Sequence, residues 1–199
     1  PAILSFVNGR DLGRYGLAGT ATPDHVIRTK QKPLIAPAPE IGKSEAFKAG
    51  VQKALDKYIA EYRAYFARNN KRFDGKKKEI DPIPRVVLVP GLGLFGLGES
   101  KKAAAIAADL AETNVEVIAN AETLGRFKVI SEADAFDVEY WSLEQAKLGR
   151  GAEKPLARHV VVVTGAGSGI GAATARAFAA IGAEVCVLDR DRDAAEAVA

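Results

Sequence analysis

Hydrophobic positions in the first half of the chain follow a helical period over one long stretch. From Ser44 to about Asn69, apolar and aromatic side chains recur at helical spacing, with lysines and glutamates on the other side. This pattern predicts an amphipathic helix with Ser44 at its N-cap, and the stripe of Tyr and Phe is typical of core packing. The prolines before it, Pro33, Pro37 and Pro39, predict an extended connector.

A second apolar stretch predicts a strand over residues 85–89, a second strand over 94–97, and a helix from Ser100 to about Ala119. The order of strand, glycines and helix also resembles a dinucleotide-binding loop. However, Pro90 interrupts the turn, bulky apolar residues fill it, and no acidic strand end follows at the expected distance. We therefore favour a hairpin that packs under the helix.

Ser131-Glu-Ala-Asp134 has the pattern of a capping box, which predicts a helix that reaches about Leu148 and ends at Gly149 and Gly151. The side chains predicted to dock this helix on a core are Phe136, Tyr140, Trp141 and Leu143.

Residues 1–39 are rich in loop-forming residues, with the end of a helix predicted at Ala2–Val7 and a short strand at Val26-Ile27. Functionally, a dense polar cluster in this region could hold a phosphate or carboxylate, with His25 as an acid or base near neutrality. The alternative, which we favour, is a turn around Pro23 with solvated charges. The cluster consists of Asp24, His25, Arg28 and Lys30. For Lys76–Lys78 we also favour a solvated loop over a role in attracting substrate.

The strongest pattern lies near the C-terminal end, where Val160–Val163 run into Thr164-Gly-Ala-Gly-Ser-Gly-Ile-Gly171. Consecutive β-branched residues predict a buried parallel strand that enters a tight phosphate-binding turn. A helix from about Ile170 to Ile181, ended by Gly182, and a second strand over Glu184–Leu188 complete a β-α-β unit. The apolar face of its helix is predicted to hold Ile170, Ala173, Thr174, Ala177, Phe178 and Ile181.

Each glycine of this turn has a separate physical task. Gly165 allows a sharp turn, Gly169 allows backbone to approach a pyrophosphate, and Gly171 allows the helix to lie close to the sheet. Asp189 follows the second strand, where a carboxylate can accept both ribose hydroxyls of an adenosine. Because a 2′-phosphate there would meet negative charge, we predict NAD over NADP, although Arg190 next to it keeps NADP open.

This segment resembles the cofactor-binding signature of the short-chain dehydrogenase/reductase family. The resemblance covers about the last forty residues. It implies that Asp189 holds the adenosine ribose and that the pyrophosphate is surrounded by Gly165, Ser168, Gly169, Ile170 and Gly171. The family transfers hydride with a tyrosine and a lysine four residues apart, and no Tyr-x-x-x-Lys occurs in this chain. The catalytic residues are therefore unknown, we expect them beyond Ala199, and we expect the 199 residues alone to be inactive.

A second resemblance spans nearly the whole chain. Residues 21–30, 84–95 and 139–149 resemble bifunctional proteins in which a rhamnulose-1-phosphate aldolase, of the class II aldolase type, precedes a short-chain dehydrogenase. Class II aldolases hold zinc with histidines, but this chain has only His25 and His159. We therefore predict no metal site here and expect any zinc ligands upstream of Pro1.

Composition limits the class of protein. The chain has 48% hydrophobic and 27% charged residues, as ordinary globular proteins do, and a net charge of +3 is too small to argue for nucleic acid. No apolar run approaches the length of a membrane span. The single cysteine, Cys186, lies in a predicted buried strand, and this usage fits a reducing cytoplasm. Methionine is absent even at position 1, so we expect a piece of a longer polypeptide.

Together these patterns predict an α/β chain with an aldolase-associated domain at 1–150, a linker at 151–155, and the first β-α-β of a Rossmann-type doubly wound parallel sheet at 156–199. The predicted function is part of a cytoplasmic, bifunctional sugar-metabolism enzyme. An NAD-dependent dehydrogenase acting on a lactaldehyde-like hydroxy-aldehyde would be fused to a ketose-1-phosphate aldolase. We expect a homo-oligomer with a small sugar or aldehyde substrate, and neither nucleic acid nor membrane as partner. Two alternatives stay open: residues 1–150 as a non-catalytic assembly module, or a stand-alone dehydrogenase with an N-terminal extension.

Overall fold

The computed structural model describes residues 2–142 and 154–199, which divide into two compact units. The first unit contains the described residues up to Leu97 and those from Ala105 to Ser142. The second contains Gly98–Ala104 and the residues from Lys154 onward. The predicted linker at 151–155 lies largely outside the described residues.

The first unit begins with three short helices, α1 at Ala2–Val7, α2 at Leu12–Tyr15 and α3 at Pro23–Thr29. The helix predicted at Ala2–Val7 is therefore confirmed. The strand predicted at Val26-Ile27 is wrong, because both residues lie in α3 and are buried. Pro23 occupies the first turn of α3, where its fixed φ suits a helix and its missing N–H is not needed.

A small three-stranded sheet lies at the centre of the first unit, in the order β1-β2-β3. Strand β1 (Leu34–Ile35) pairs in parallel with β2 (Val86–Val89), which pairs antiparallel with β3 (Gly93–Gly96). The predicted hairpin is therefore confirmed, and the prolines flank an extended segment as expected. The main apolar cluster packs β2 against α1, α2 and the long helix at Lys101–Leu124. Its buried members are Phe6, Val7, Leu12, Val86, Leu88, Ala111, Val115 and Ile118.

Two long helices and one short helix complete this unit. They are α4 (Ser44–Asn70), which ends in a 3-10 turn at Lys71–Phe73, α5 (Lys101–Leu124), which belongs to this unit from Ala105 onward, and α6 (Glu132–Glu139). The long helix predicted from Ser44 is confirmed, but Lys43, not Ser44, occupies its N-cap position. The aromatic stripe packs inward as predicted, since Tyr62 and Tyr65 form a cluster with Phe136 and Tyr140 of the α6 region.

Helix α6 is shorter than predicted, because Tyr140 leaves the helical conformation with φ −105° and ψ 15°. The ring of Tyr140 stacks on Phe136 at 4.4 Å between centroids and its hydroxyl lies 2.7 Å from that of Tyr62, so tertiary contacts set this helix end. Trp141, predicted to dock on the core, is 51% exposed. Leu143 and the predicted helix end at Leu148, Gly149 and Gly151 lie outside the described residues.

The predicted solvated loop of lysines is only partly correct. Lys76 and Lys78 are exposed, but Lys77 is half-buried. Its ammonium donates to the carbonyl of Tyr140 at 2.9 Å and lies 4.8 Å from the ring centroid of Phe73. Lys77 therefore ties the loop after α4 to the residue that ends α6.

Ser131 caps α6 as predicted, but the Asp134 carboxylate accepts from the Ser131 hydroxyl at 2.7 Å, and a capping box would have it accept from the Ser131 backbone N–H. Ser131 lies at the N-cap with φ −63° and ψ 158°, and its Oγ accepts a hydrogen bond from the backbone N–H of Asp134 at 3.1 Å. Ser131→Ala should lower the free energy of unfolding by about 1 kcal/mol, because one helix N–H loses its acceptor. The test is urea denaturation followed by the fluorescence of Trp141, the single tryptophan. Exposed Ser5 in α1 provides the control variant Ser5→Ala, and equal midpoints for the two variants would contradict the prediction.

The second unit is a β-α-β unit with a further helix. It contains β4 (Val160–Thr164), α7 (Gly169–Ala180), β5 (Glu184–Leu188) and α8 (Arg192–Val198). Strands β4 and β5 pair in parallel over their full length, from Val160 opposite Glu184 to Thr164 opposite Leu188. The predicted mixed α/β fold with a parallel-strand start at the C-terminal end is confirmed.

Burial in this unit differs from the prediction in two ways. Strand β4 alternates exposed and half-buried residues, and Cys186 in β5 is exposed, because helices of the described residues cover only one face of the sheet. Helix α7 buries Ala172 and Ala175, whereas Ile170 is 87% exposed. The predicted apolar face was therefore wrong for Ile170, Ala173, Ala177 and Ile181. Small alanines at the contact allow α7 to lie close to the strands, and the larger side chains remain outside.

Candidate cofactor-binding site

The predicted nucleotide site lies at the carboxyl ends of β4 and β5. The turn after β4 contains Gly165, with φ 66°, and its next residue, Ala166, donates its N–H to the carbonyl of Leu188 in β5 at 3.1 Å. Since the strands are parallel, the turn after β4 and the residue after β5 lie at the same edge of the sheet. This is the edge at which open α/β sheets bind ligands.

The glycine turn has backbone angles that favour glycine and leave free space beside two of its residues. Gly165 and Gly169 both have positive φ, 66° and 52°, which side chains rarely adopt, and a Cβ at either position would meet no atom within 4 Å. At Gly171, in contrast, a Cβ would lie 2.0 Å from the carbonyl oxygen of Gly165. Helix α7 can therefore contact the turn only because residue 171 has no side chain.

The N-terminus of α7 faces the same turn. Ser168 is its N-cap in an extended conformation, and its side chain makes no capping hydrogen bond, while Gly169 and Ile170 are the first two helical residues. The first backbone N–H groups of a helix have no partner within the helix, and they favour an anion together with the helix dipole. Ser168, Gly169, Ile170 and Gly171 therefore form the N-terminal turn of α7, and their contact with a pyrophosphate stays a prediction.

Asp189 directly follows β5, and its carboxylate is fixed by backbone N–H groups. Oδ2 accepts from Gly167 at 2.8 Å, and Oδ1 accepts from Asp191 at 3.1 Å. The hydrogen bonds from Asp191 and Gly167 lower the pKa of Asp189, although the side chain is exposed to solvent. The carboxylate is therefore ionised and oriented beside the glycine turn.

Sequence reasoning missed Gly167 in this arrangement. A Cβ at residue 167 would lie 2.9 Å from Cγ of Asp189, so a side chain here would displace the acid from the turn. The sequence did show a glycine at 167, between the glycines already assigned. Its role could not be predicted, because it depends on a contact with Asp189, 22 positions away.

The N-terminal polar cluster is not brought together as one site. Lys30 is 2% exposed, and its ammonium donates to the carbonyl of Asp81. Nδ1 of His25 is buried and meets no hydrogen-bond partner among the described residues. The structure does not describe the side chain of Asp24. Lys30 is therefore part of the core, which neither interpretation of the cluster predicted.

A buried carboxylate in the first unit was also missed. Glu139 is fully buried and accepts hydrogen bonds from the hydroxyls of Tyr62 and Tyr65, both at 2.8 Å. Burial raises the pKa of Glu139, while Lys30 opposes this shift. Burial also lowers the pKa of Lys30 to about 8. Glu139 follows Phe136 and Ala135 at helical spacing, so a carboxylate on the apolar face of α6 was the signal in the sequence.

Across residues 2–142 and 154–199, no three His, Cys, Asp or Glu side chains are grouped as metal ligands would be. In the described part of the chain, no helix combines the length and the apolar character needed to cross a membrane.

Comparison with known families agrees with this geometry. Residues 1–148 match the family described as aldolase class II, second domain, and the chain belongs to this family. Residues 159–199, which contain the glycine turn and Asp189, match the family model of short chain dehydrogenase. The predicted order, an aldolase-type region followed by the start of a short-chain dehydrogenase, is therefore confirmed.

A particular relative matches across both regions. The chain is 34% identical over 199 residues to the "Uncharacterized oxidoreductase YuxG" of Bacillus subtilis (strain 168). The match covers 99% of this chain but 28% of the length of that protein. No solved structure matches the chain significantly.

Proposed function

We propose that this chain is part of a bifunctional sugar-metabolism enzyme in which the second unit contributes to the NAD site of a short-chain dehydrogenase. The observation that carries the proposal is the carboxylate of Asp189, held 2.8 Å from the N–H of Gly167 at the edge of the glycine turn. The relative YuxG is described as an oxidoreductase, which supports this class of activity.

The residues at this edge fit a dinucleotide. The open N-terminus of α7 would bind the pyrophosphate through backbone N–H groups, and the glycines at 165 and 169 would allow it to approach. Asp189 would accept hydrogen bonds from the ribose hydroxyls and would repel a 2′-phosphate. The bound cofactor would supply hydride transfer between its nicotinamide and a lactaldehyde-like hydroxy-aldehyde, with NAD as the hydride acceptor or NADH as the donor. The task of the described residues is to bind and orient it.

For the first unit we propose membership of a ketose-1-phosphate aldolase, with rhamnulose 1-phosphate as the substrate that the resemblance favours. The family of residues 1–148 supports the aldolase class. We keep a non-catalytic assembly module as the alternative, because the aromatic side chains of α4 pack into a core. Activity toward ketose 1-phosphates, with and without added zinc, distinguishes the two when it is measured on the longer polypeptide that contains this chain. A cytoplasmic location and a homo-oligomer stay predictions from the sequence.

Asp189→Ala tests the cofactor proposal. The substitution should weaken NAD binding about tenfold, since it removes charge-assisted hydrogen bonds worth about 1.4 kcal/mol. Binding of NADP should weaken less or improve, because the repulsion of the 2′-phosphate is also removed. Calorimetric titration of the full chain with each dinucleotide measures both effects.

The control for this test is Asp193→Ala, which removes an exposed acid in the first turn of α8. This variant has the same net charge as Asp189→Ala, so a general electrostatic effect would affect both equally. Equal NAD affinities for the two variants would contradict the assignment of Asp189.

A further inference from the structure

A cavity of about 390 Å³ lies in the first unit, between one face of α4 and the segment that leads into β1. Its volume falls within the range of small-molecule sites. Tyr58 closes one side, and its hydroxyl donates to the backbone carbonyl of Lys32 at 3.1 Å, which fixes the segment to α4. The site is thus built from two elements joined by a specific hydrogen bond.

The charged side chains that line the cavity are mostly cationic. Lys30, Lys32 and Arg68 face one carboxylate, that of Glu61. Because Glu61 also pairs with Lys57 at 3.7 Å, its charge is shared with a cation of its own helix. The lining side chains carry a net charge of +2, and the Glu132 carboxylate that pairs with Arg68 reduces the local charge to +1. The charge of the cavity therefore favours an anion.

Two of these cations, Lys32 and Arg68, are exposed and can contact a ligand, but they differ in their present partners. The side chain of Lys32 is exposed, and its charge acts on the carboxylate of Glu132. The guanidinium of Arg68 is exposed and pairs with Glu132 at 3.0 Å, which fixes its position. Arg68 retains further N–H donors, because a guanidinium has five.

Lys30 supplies a second, independent observation. Its ammonium lies 3.5 Å from the ring centroid of Tyr62, which also lines the cavity. The pKa of Lys30 is lowered to about 8, because burial outweighs the attraction of nearby carboxylates. The attraction of Glu139 only partly offsets the burial of this cation, so an anion in the cavity would stabilise its charged form further. The charged groups that act on it are Glu139, Arg85, Asp81 and Glu79.

The tyrosine rings give the cavity a fixed apolar surface. The hydroxyls of Tyr62 and Tyr65 donate to Glu139 at 2.8 Å, so neither side chain can move to another position without breaking a buried hydrogen bond. Rigid aromatic surface beside cations suits a ligand with a carbon body and one strongly charged end.

We propose that this cavity binds a small sugar phosphate, with Lys32 and Arg68 contacting the phosphate and the tyrosine rings packing against the carbon body. The sugar part of this assignment rests on the aldolase function proposed above, whereas the phosphate part rests on the cavity alone. All residues that line the cavity belong to the first unit, and no family match assigns the cavity.

The test is calorimetric titration of the full chain with inorganic phosphate, with rhamnulose 1-phosphate and with free rhamnulose, each in the presence of saturating NAD. NAD occupies the other phosphate-binding region of the chain. We expect binding of both phosphate compounds, and binding of the free sugar weaker by at least about tenfold, as for the loss of one charge-assisted contact. At a pH of about 8, binding of phosphate should be accompanied by proton uptake, because an anion raises the pKa of Lys30.

Two variants locate the bound phosphate. Lys32→Gln should weaken phosphate binding about tenfold, and Lys32→Gln with Arg68→Gln should weaken it further. The matched control is Lys53→Gln, since Lys53 is an exposed lysine of α4 outside the cavity lining. Unchanged folding of each variant is checked by the fluorescence of Trp141.

The outcomes separate this proposal from the cofactor proposal. Absence of phosphate binding, or binding that Lys32→Gln and Lys53→Gln affect equally, overturns the cavity site whatever the affinity for NAD. Phosphate binding that depends on Lys32, in a chain that does not bind NAD, overturns the cofactor proposal and supports the cavity. Inorganic phosphate that binds while the sugar phosphate does not overturns the sugar assignment.

Discussion

Glu139→Ala should lower the free energy of unfolding of the first unit by about 3 to 5 kcal/mol, the range measured when one member of a buried ion pair is removed. The substitution deprives the hydroxyls of Tyr62 and Tyr65 of their acceptor in a fully buried site. It also removes the carboxylate that most strongly stabilises the charge of Lys30, which is 2% exposed. Each of these groups was desolvated on folding, so the loss exceeds that of a single hydrogen bond.

Urea denaturation followed by the fluorescence of Trp141 measures this effect, because Trp141 lies next to Tyr140 in the same unit. The control is Glu116→Ala, an exposed glutamate of α5, which should change stability by no more than about 0.5 kcal/mol. A loss below about 1 kcal/mol for Glu139→Ala, the value of one ordinary hydrogen bond, would show that the cluster is not closed to water.

Substituting both charged groups should cost less than removing the carboxylate alone. In Lys30→Met with Glu139→Leu, no uncompensated charge stays buried, and such replacements are often neutral or stabilising. The two tyrosine hydroxyls still lose an acceptor, so we expect a stability between those of the wild type and Glu139→Ala. A double substitution less stable than Glu139→Ala would mean that packing, and not charge, dominates this site.

The pH dependence of stability gives an additional check on Glu139. Since burial raises its folded pKa above the ordinary 4.5, its contribution is fully present below 4.5 and is lost as the pH rises through the raised value. Glu139→Gln keeps an acceptor for the tyrosines and does not titrate. The decrease in stability on raising the pH through this range should therefore be smaller in Glu139→Gln than in the wild type.

The glycine turn and the Glu139 cluster differ in how much of their structure the sequence could predict. The β-α-β unit was predictable, because its turn depends on backbone conformations that only glycine adopts easily, and glycine is visible in the sequence. The Glu139 cluster was not, because it brings together residues of α4 and α6 that are more than seventy positions apart. Periodicity shows which face of a helix is apolar, but it does not show what that face meets.

The same argument accounts for the wrong details in the second unit. Four consecutive valines indicate a strand covered on both faces, yet the described residues cover only one, and Val160 is 76% exposed. Likewise, the helical pattern of α7 favoured the large residues Ile170 and Ile181 as its packing face. The contact instead uses Ala172 and Ala175, because close approach to the strands requires small side chains.

Gly171→Ala should abolish measurable NAD binding, with an expected loss of at least about a hundredfold in affinity, or 2.7 kcal/mol. The new Cβ would lie 2.0 Å from the carbonyl oxygen of Gly165, far inside van der Waals contact. Both atoms belong to the backbone framework of the turn and α7, so no flexible side chain can move aside. The start of α7 must shift away from the turn, and the pyrophosphate-binding N–H groups shift with it.

Gly169→Ala, two residues earlier, distinguishes this clash from a general effect of adding a methyl group. A Cβ at residue 169 meets no atom within 4 Å, and only its φ of 52° opposes the substitution. The strain of that conformation is about 1 to 2 kcal/mol for a residue with a Cβ. Gly169→Ala should therefore retain more NAD affinity than Gly171→Ala. Gly13→Ala, at an open position in α2 of the other unit, should bind NAD like the wild type.

Calorimetric titration of the full-length variants with NAD, combined with circular dichroism, ranks these three substitutions. If Gly171→Ala bound NAD as tightly as Gly169→Ala, α7 would not need to lie against the turn, and the dinucleotide would not depend on the geometry of its N-terminus. The expected order of NAD affinities follows from the distance of 2.0 Å between a Cβ at residue 171 and the carbonyl oxygen of Gly165. It therefore tests the close approach of α7 to the turn separately from the role of Asp189, which lies on the opposite side of the turn at Gly167.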